Sequence, residues 1–450
     1  MRFADTRRFS GIFIVLLFFF YFSPQSYSAD ILGCRLKCPR GFVHAHDGKF
    51  YLDGSEYRQI GFNKFDLLLQ YMGHEGKNGR EKSKKALHEI GSHGFRLVRV
   101  IGSPFFPSQF YNIFFDENSS KQKEKREKFF AIVDEMLDEC DRNNLKVVYS
   151  IVWNIENFAD LGYQDLYEGI SDPHSLAYAR IKEFTAELVE RYKDRKTIAM
   201  WEVPGNEYDL SANLKMHPIY KDGIFLPRNP DGCKNIGEKY RYCFDDPLAP
   251  GLVVRDYRNN FTFDELAELT GRMAGFTRSI DSNHAIVGGY ALARKCAVNM
   301  YRAVTGDPRA IDRCEEDDFD DSVEYIDKLH RGLDALSVHH YDKIETLSKF
   351  QKIAVVINKP LIIGEFGPNH TVEPYDKIYT SKRSKKQVRR ALEVFAKEEI
   401  SILLFWAYGD DREFNQDNME LHLRYGVTDD ILAEIQKAQQ NLQLEIKKRH

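Results

Sequence analysis

Along most of this 450-residue chain, short apolar runs of strand length alternate with longer runs of helical periodicity. The candidate strands are Tyr57–Phe62, Phe95–Ile101, Lys146–Trp153, Ile198–Val203, Ala285–Gly289, Ala335–His340, Pro360–Phe366 and Ile402–Ala407. Amphipathic patterns lie between them, at Glu81–Ile90, Lys123–Asn143, Ser175–Lys193, Thr262–Ser282, Val323–Arg331, Ile344–Ile357 and Lys382–Lys397, and a last one, Asp430–Lys448, closes the chain. Such alternation signals βα units and a parallel sheet. Eight strands, each followed by a helix, predict an α/β chain folded as a (β/α)8 TIM barrel. The alternative, a doubly wound sheet, calls for a glycine-rich phosphate loop after an early strand, and the sequence has none there.

Three segments depart from the rhythm. Residues 44–56 read as a β-hairpin with turns at Asp47-Gly48 and Asp53-Gly54, placed to cap the bottom of the barrel. Tyr208–Asn260 and Ala291–Ser322 are long segments after the fourth and fifth strands, and both would emerge at the C-terminal face, where loops build the site. The first residues carry Arg2, Arg7 and Arg8, an apolar run from Gly11 to Phe22, and small residues up to Ala29. This is the layout of a secretory signal peptide over 1–29, followed by one catalytic domain over 30–450. Secretion or a periplasmic location follows, with no membrane span after signal removal. An uncleaved signal anchor, or lipoprotein processing at Ile31-Leu32-Gly33-Cys34, are the alternatives.

An oxidising compartment makes three local disulfides plausible, Cys34–Cys38, Cys233–Cys243 and Cys296–Cys314. Cys140, in an amphipathic helix, would be a buried free thiol. Cysteine and histidine spacing matches no zinc site, and no cofactor is implied. The acidic clusters Glu315-Glu316-Asp317-Asp318 and Asp320-Asp321 read as solvated loop in preference to a calcium site. With 64 Lys+Arg against 68 Asp+Glu there is no general drive toward nucleic acid. A monomer is the expectation.

The chemistry is concentrated at the strand ends. Strand four runs into Asn206-Glu207 and strand seven into Glu365, each an apolar run ending in a carboxylate at the C-terminal face. Two carboxylates on facing strands can flank one bond, the requirement for glycoside hydrolysis with one group as acid and base and the other as nucleophile. The competing reading has both glutamates paired with arginines at the rim. Arg99 ends strand two, where it would orient a carboxylate or form a structural ion pair. His339, His340 and Tyr341 end strand six, and alternation puts His339 and Tyr341 on one face. Trp406, and Trp153 with Asn154, offer platforms for a sugar ring or core packing.

Taken in order, these motifs resemble family 5 glycoside hydrolases, in the clan of retaining (β/α)8 glycosidases. The resemblance spans most of residues 42–410 and rests on Phe50-Tyr51-Leu52-Asp53-Gly54, Gly61-Phe62-Asn63, Arg99, Trp201-Glu202 with Asn206-Glu207, His339-x-Tyr341, Gly364-Glu365-Phe366-Gly367 and Trp406. It implies that Glu207 is the acid/base and Glu365 the nucleophile. It also implies that Asn206 bonds the sugar's 2-hydroxyl, that Tyr341 and Arg99 hold Glu365, and that Trp406 floors the adjoining subsite. Ser150-Ile151-Val152-Trp153-Asn154 and Phe42–Leu52 are similar to β-1,4-mannanases, so mannan is the implied substrate. Cellulase-like or exo-acting β-glycosidases, and a carbohydrate-binding barrel without turnover, are the rivals.

The chain departs from the family pattern at strand four. Three residues, Val203, Pro204 and Gly205, separate Trp201-Glu202 from Asn206-Glu207 where the family has two, and Tyr208 stands in place of a proline. The insertion predicts a bulge that resets the alternation of faces.

Overall fold

The computed structural model describes residues 39–73, 78–105, 107–116, 120–153, 155, 158, 161–162, 168–209, 261–291, 293, 295–311, 315–341, 343–367, 382–408 and 429–449. A small antiparallel sheet comes first, formed by β1 (Val43–His46), β2 (Lys49–Leu52) and β3 (Ser55–Glu56). Its turns fall where the sequence puts them. Asp47 and Gly48 have φ of 45° and 68°, Asp53 and Gly54 of 52° and 81°, so both Asp-Gly pairs take the left-handed backbone that a tight hairpin needs.

Eight parallel strands then close into a barrel: β4 (Gln59–Asn63), β5 (Leu97–Ile101), β6 (Lys146–Ser150), β7 (Ile198–Asp209), β8 (Ala285–Ala291), β9 (Leu336–His340), β10 (Leu361–Phe366) and β11 (Ile402–Phe405). β11 pairs with β4 to complete the ring. Helices of the expected periodicity lie between the strands, among them Gly79–Ser92, Gln122–Arg142, Leu176–Tyr192, Phe263–Ile280 and Glu345–Val356. Thr262 begins one of them with a full capping box, its side chain accepting from the Glu265 amide while Glu265 accepts from Thr262 N–H.

Strand alternation sorts the side chains into two cores. Ile60, Phe62, Val98, Val147, Tyr149, Trp201, Ile286, Val338, Ile363 and Phe405 face outward and pack with the helices. Leu97, Val148, Met200, Val287, Ile362, Ile402 and Leu404 face inward. Val43, Phe50 and Tyr57 join this inner cluster. Because Leu97, Ala285, Leu361-Ile362 and Ile402 stand at the starts of their strands, the small sheet plugs the N-terminal end of the barrel, as its position in the sequence predicts.

Asp281 and His284, just before β8, fix the outer layer from below. The Trp201 indole donates to Asp281 at 2.7 Å, and His284 Nδ1 meets the same carboxylate at 2.5 Å. Burial by itself would raise the Asp281 pKa, but the His284 and Trp201 bonds outweigh it and lower the value. Cys140 is buried and free. Cys34, Cys38, Cys233, Cys243 and Cys314 lie outside the described residues. In the segment after β8, Asp317 accepts from the amides of Val298 and Asn299 at the start of the helix Ala297–Thr305, and Asp321 pairs with Arg302. Among the described residues no helix is long and apolar enough to cross a membrane, and no group of three His, Cys, Asp or Glu is placed to hold a metal ion.

Candidate active site

Two irregularities flank the carboxylates near the barrel mouth, in addition to a register shift between Ile198 and Met200 where β7 pairs with β6. On β10, Ile363 pairs with Val338 of β9, and Glu365 pairs with His339, the next residue along. β10 therefore carries one extra residue at Gly364. Strict alternation from inward-facing Ile362 would turn Glu365 outward; the extra residue turns it in. Gly364 suits the place, since a Cβ there would stand 3.0 Å from the His339 ring.

The second irregularity is on β7. Glu202 pairs with Val287 of β8 and Asn206 with Gly289, so four steps on β7 match two on β8, and a further shift lies between Asn206 and Tyr208. This is the bulge that Val203-Pro204-Gly205 predicts, and the strand continues through it to Asp209. Gly289 makes room for it. A Cβ there would lie 2.5 Å from the Gly205 carbonyl and 2.7 Å from the Glu202 carboxylate. The backbone of Asn206 and Glu207 is part of β7, and their side chains lie outside the described residues, as does Asn154.

Arg99 stands at the centre. Its side chain is fully buried, and the guanidinium is shared among three groups. Nε and Nη2 donate to the two oxygens of Glu202 at 2.6 and 2.7 Å, a bidentate fork. Nη1 donates to Asn63 Oδ1 at 2.9 Å and to Glu365 Oε1 at 2.8 Å. Burial would lower the Arg99 pKa, but Glu202 and then Glu365 outweigh it and raise the value, so the cation is fixed. Asn63 is held in turn, donating to the Gly364 carbonyl at 3.0 Å. The guanidinium also lies 4.5 Å over the Trp153 ring.

Glu365 is 2% exposed. Its Oε2 accepts from the Tyr341 hydroxyl at 2.6 Å, while Oε1 takes the Arg99 bond and has His339 Nδ1 at 3.5 Å. Each oxygen therefore has a directed donor, which orients the carboxylate. His339 and Tyr341 share the inner face. His340 turns outward, meeting Thr346 Oγ1 at 2.6 Å and stacking on Phe366.

The aromatic residues form a file. Phe65 stacks on Trp406 at 5.1 Å between centroids, and Trp406 stacks with Trp153 at 6.0 Å. Trp153 lies three residues beyond β6, which ends sooner than the strand Lys146–Trp153 read from the sequence, and both tryptophans are almost fully buried. Arg99, Trp153, His339, Tyr341, Glu365 and Trp406 thus converge at the C-terminal end of the barrel.

Glu202 was not among the candidates, although it supplies the closest contacts to Arg99. The signal was present. Glu202 follows an apolar run as directly as Glu365 does, and it stands two residues beyond inward-facing Met200. Asn63 carries a similar signal at the end of β4.

No protein-family profile matches the chain. One curated relative, mannan endo-1,4-beta-mannosidase 1 of Arabidopsis thaliana, is 24% identical over 205 residues, which is 42% of this chain and 47% of that protein. The chain thus spans about half the length of the curated relative it matches. Among solved structures, a glycoside hydrolase family 5 mannosidase from Rhizomucor miehei aligns with a TM-score of 0.58 and 14% identity over 91% of this chain and 99% of that one. The endo-beta-1,4-mannanase of Thermotoga petrophila aligns at 0.54 and 15%, covering 86% and 77%. An exo-beta-1,4-mannosidase from an Opitutaceae bacterium aligns at 0.54 and 14%, covering 90% and 63%. In fold, the chain is similar to family 5 glycoside hydrolases that carry mannosidase and mannanase names, in keeping with the resemblance read from its motifs.

Proposed function

We propose that this protein is a secreted, monomeric, retaining β-glycoside hydrolase that cleaves β-1,4-linked mannan by double displacement. The observation that carries the reading is the clamp on Glu365, a buried carboxylate at the C-terminal barrel face with Arg99 on one oxygen and Tyr341 on the other. A nucleophile needs this environment, charged and held still. In the first step a Glu365 oxygen attacks the anomeric carbon while Glu207 gives its proton to the departing glycosidic oxygen. A glycosyl ester on Glu365 results. In the second step Glu207 takes a proton from water, whose oxygen attacks the anomeric carbon and returns Glu365 as a carboxylate. Asn206 would bond the 2-hydroxyl, and Trp406, Trp153 and Asn154 would line the sugar site. The choice of mannan rests on the names of the relatives above, which include endo- and exo-acting enzymes. Secretion and the disulfide pairings rest on the sequence alone.

The test is hydrolysis of β-1,4-mannan and manno-oligosaccharides, with the product anomer followed by NMR in the first minutes. The reading predicts the β-anomer, and loss of roughly a thousandfold or more in kcat for Glu365→Gln. First formation of the α-anomer excludes a retaining enzyme. Sugar binding with no turnover by the unsubstituted protein establishes the carbohydrate-binding barrel instead, the reading that the altered strand-four spacing favours.

A further inference from the structure

Among the described residues, Arg99 links Glu202 of β7 to Glu365, and it is not evenly shared. Glu202 takes two guanidinium N–H bonds at 2.6 and 2.7 Å, and Glu365 takes one at 2.8 Å from a nitrogen that also serves Asn63. The Glu202 side chain is 1% exposed, so solvent does not screen this division. The chain has also kept the space that Glu202 occupies, because any side chain at Gly289 would run into its carboxylate. A carboxylate placed only to neutralise Arg99 could do so from the solvent rim. This one is inside, on the side of the guanidinium away from the Glu365 bond.

We propose that Glu202 is a positioning residue for Glu365 that acts through Arg99. Its bidentate fork fixes the plane of the guanidinium, and its charge sets how much of the Arg99 cation Glu365 experiences. Among the described residues, the groups facing Glu365 from the surrounding elements include Arg99 of β5, His339 of β9 and Tyr341 just beyond β9. Those facing Arg99 are Glu202, Glu365, Asn63 and the Trp153 ring. With Glu202 charged, the Arg99–Glu202 pair is neutral as a unit, and Glu365 receives a directed hydrogen bond without the full pull of a cation. Without that charge, the whole cation falls on Glu365. Its anion is then held more tightly and becomes a weaker nucleophile. The inference rests on the proposed role of Glu365 only for its consequence in catalysis; the division of charge stands on the geometry.

The test is Glu202→Gln, which keeps the shape and removes the charge. The ionisation of Glu365 is followed by the carbon-13 signal of carboxyl-labelled glutamate, assigned by its absence in Glu365→Gln. The expected result is a Glu365 midpoint about one pH unit lower than in the unsubstituted protein. The acid limb of kcat/KM moves the same way, kcat falls at least tenfold, and KM changes little. Glu202→Asp, which retains the charge, restores most of the midpoint shift. If Glu202→Gln does not fold, Asn63→Asp makes the converse test: a carboxylate beside the same Nη1 draws charge from Glu365 and moves its midpoint upward. A Glu365 midpoint that stays in place in a folded Glu202→Gln or Asn63→Asp protein overturns the inference. The two readings fail separately. A midpoint shift in a protein that hydrolyses no β-mannoside sinks the hydrolase and leaves the charge division standing; active enzyme with an unmoved midpoint sinks only the latter.

Discussion

The two ends of the barrel are built from the same eight strands and have opposite chemistry. At the N-terminal end, Leu97, Ala285, Ile362 and Ile402 meet Val43 and Phe50 of the small sheet and Tyr57 just after it, and the contacts are apolar. At the C-terminal end, two to four residues further along, the inward positions hold Asn63, Arg99, Glu202, His339 and Glu365. The lower layers need only volume and hydrophobicity, which many sequences satisfy. The upper layer needs direction as well. Each of its charges is buried and must find a partner at hydrogen-bond distance, and the strands depart from regular pairing at Gly364, just before Glu365, and between Ile198 and Met200, just before Glu202. Stability is concentrated below and function above, with Arg99 belonging to both.

That division can be broken by substitution. Arg99→Ala has the largest effect, because it leaves Glu202 and Glu365 buried without their cation. It should cost about 5 kcal/mol in urea unfolding and abolish activity together. Phe50→Ala, in the plug, should cost about 3 to 4 kcal/mol through the cavity it leaves, with kcat unchanged in the folded protein. A loss of kcat on Phe50→Ala would show that the two ends are coupled.

pH separates the ends in a different way. His330 lies below β9, fully buried, with Nδ1 against the Ile326 carbonyl at 2.8 Å, and burial lowers its pKa from 6.5 to about 4. Its folded value is the depressed one, so the unfolded chain binds the extra proton first. The stabilisation is complete above pH 6.5 and is lost as pH falls toward 4, amounting to roughly 3 kcal/mol. Denaturant midpoints between pH 4 and 7 should show this slope, and His330→Asn should flatten it without moving the pH profile of activity. The smallest effect is expected from Tyr341→Phe. It removes one donor to a charged carboxylate and should lower kcat/KM by roughly ten- to a hundredfold, with unfolding almost unchanged.

The sequence carries the lower half of this molecule more fully than the upper. Strand and helix periodicity locate all eight barrel strands, though β7 runs past its expected end at Val203 to Asp209, and the Asp-Gly turns locate the plug, because these depend on local pattern and on backbone preferences that one segment expresses alone. The alternation of His339 and His340 is legible for the same reason. Glu202 is legible as a strand-end charge but its importance is not, since that comes from meeting Arg99 across 103 positions of sequence, and a carboxylate at a strand end carries no mark of its partner. Glu365 is legible as a strand-end charge, but its inward aim depends on an extra residue at Gly364 that appears in the pairing with β9 and β11 and not in the sequence pattern. Trp406 and Trp153 leave packing and sugar binding open in the sequence, and their stacking on each other, with Trp406 also on Phe65, shows that packing is part of their role.

The most direct measurement of the central claim is the distance between the Glu207 and Glu365 carboxyl groups in a crystal of the protein with an oligosaccharide in the cleft. Double displacement on Glu365 predicts a separation of about 5 Å, with the glycosidic bond between the two groups. A separation beyond about 10 Å, or a Glu207 side chain turned into the barrel wall past the β7 bulge, would contradict it.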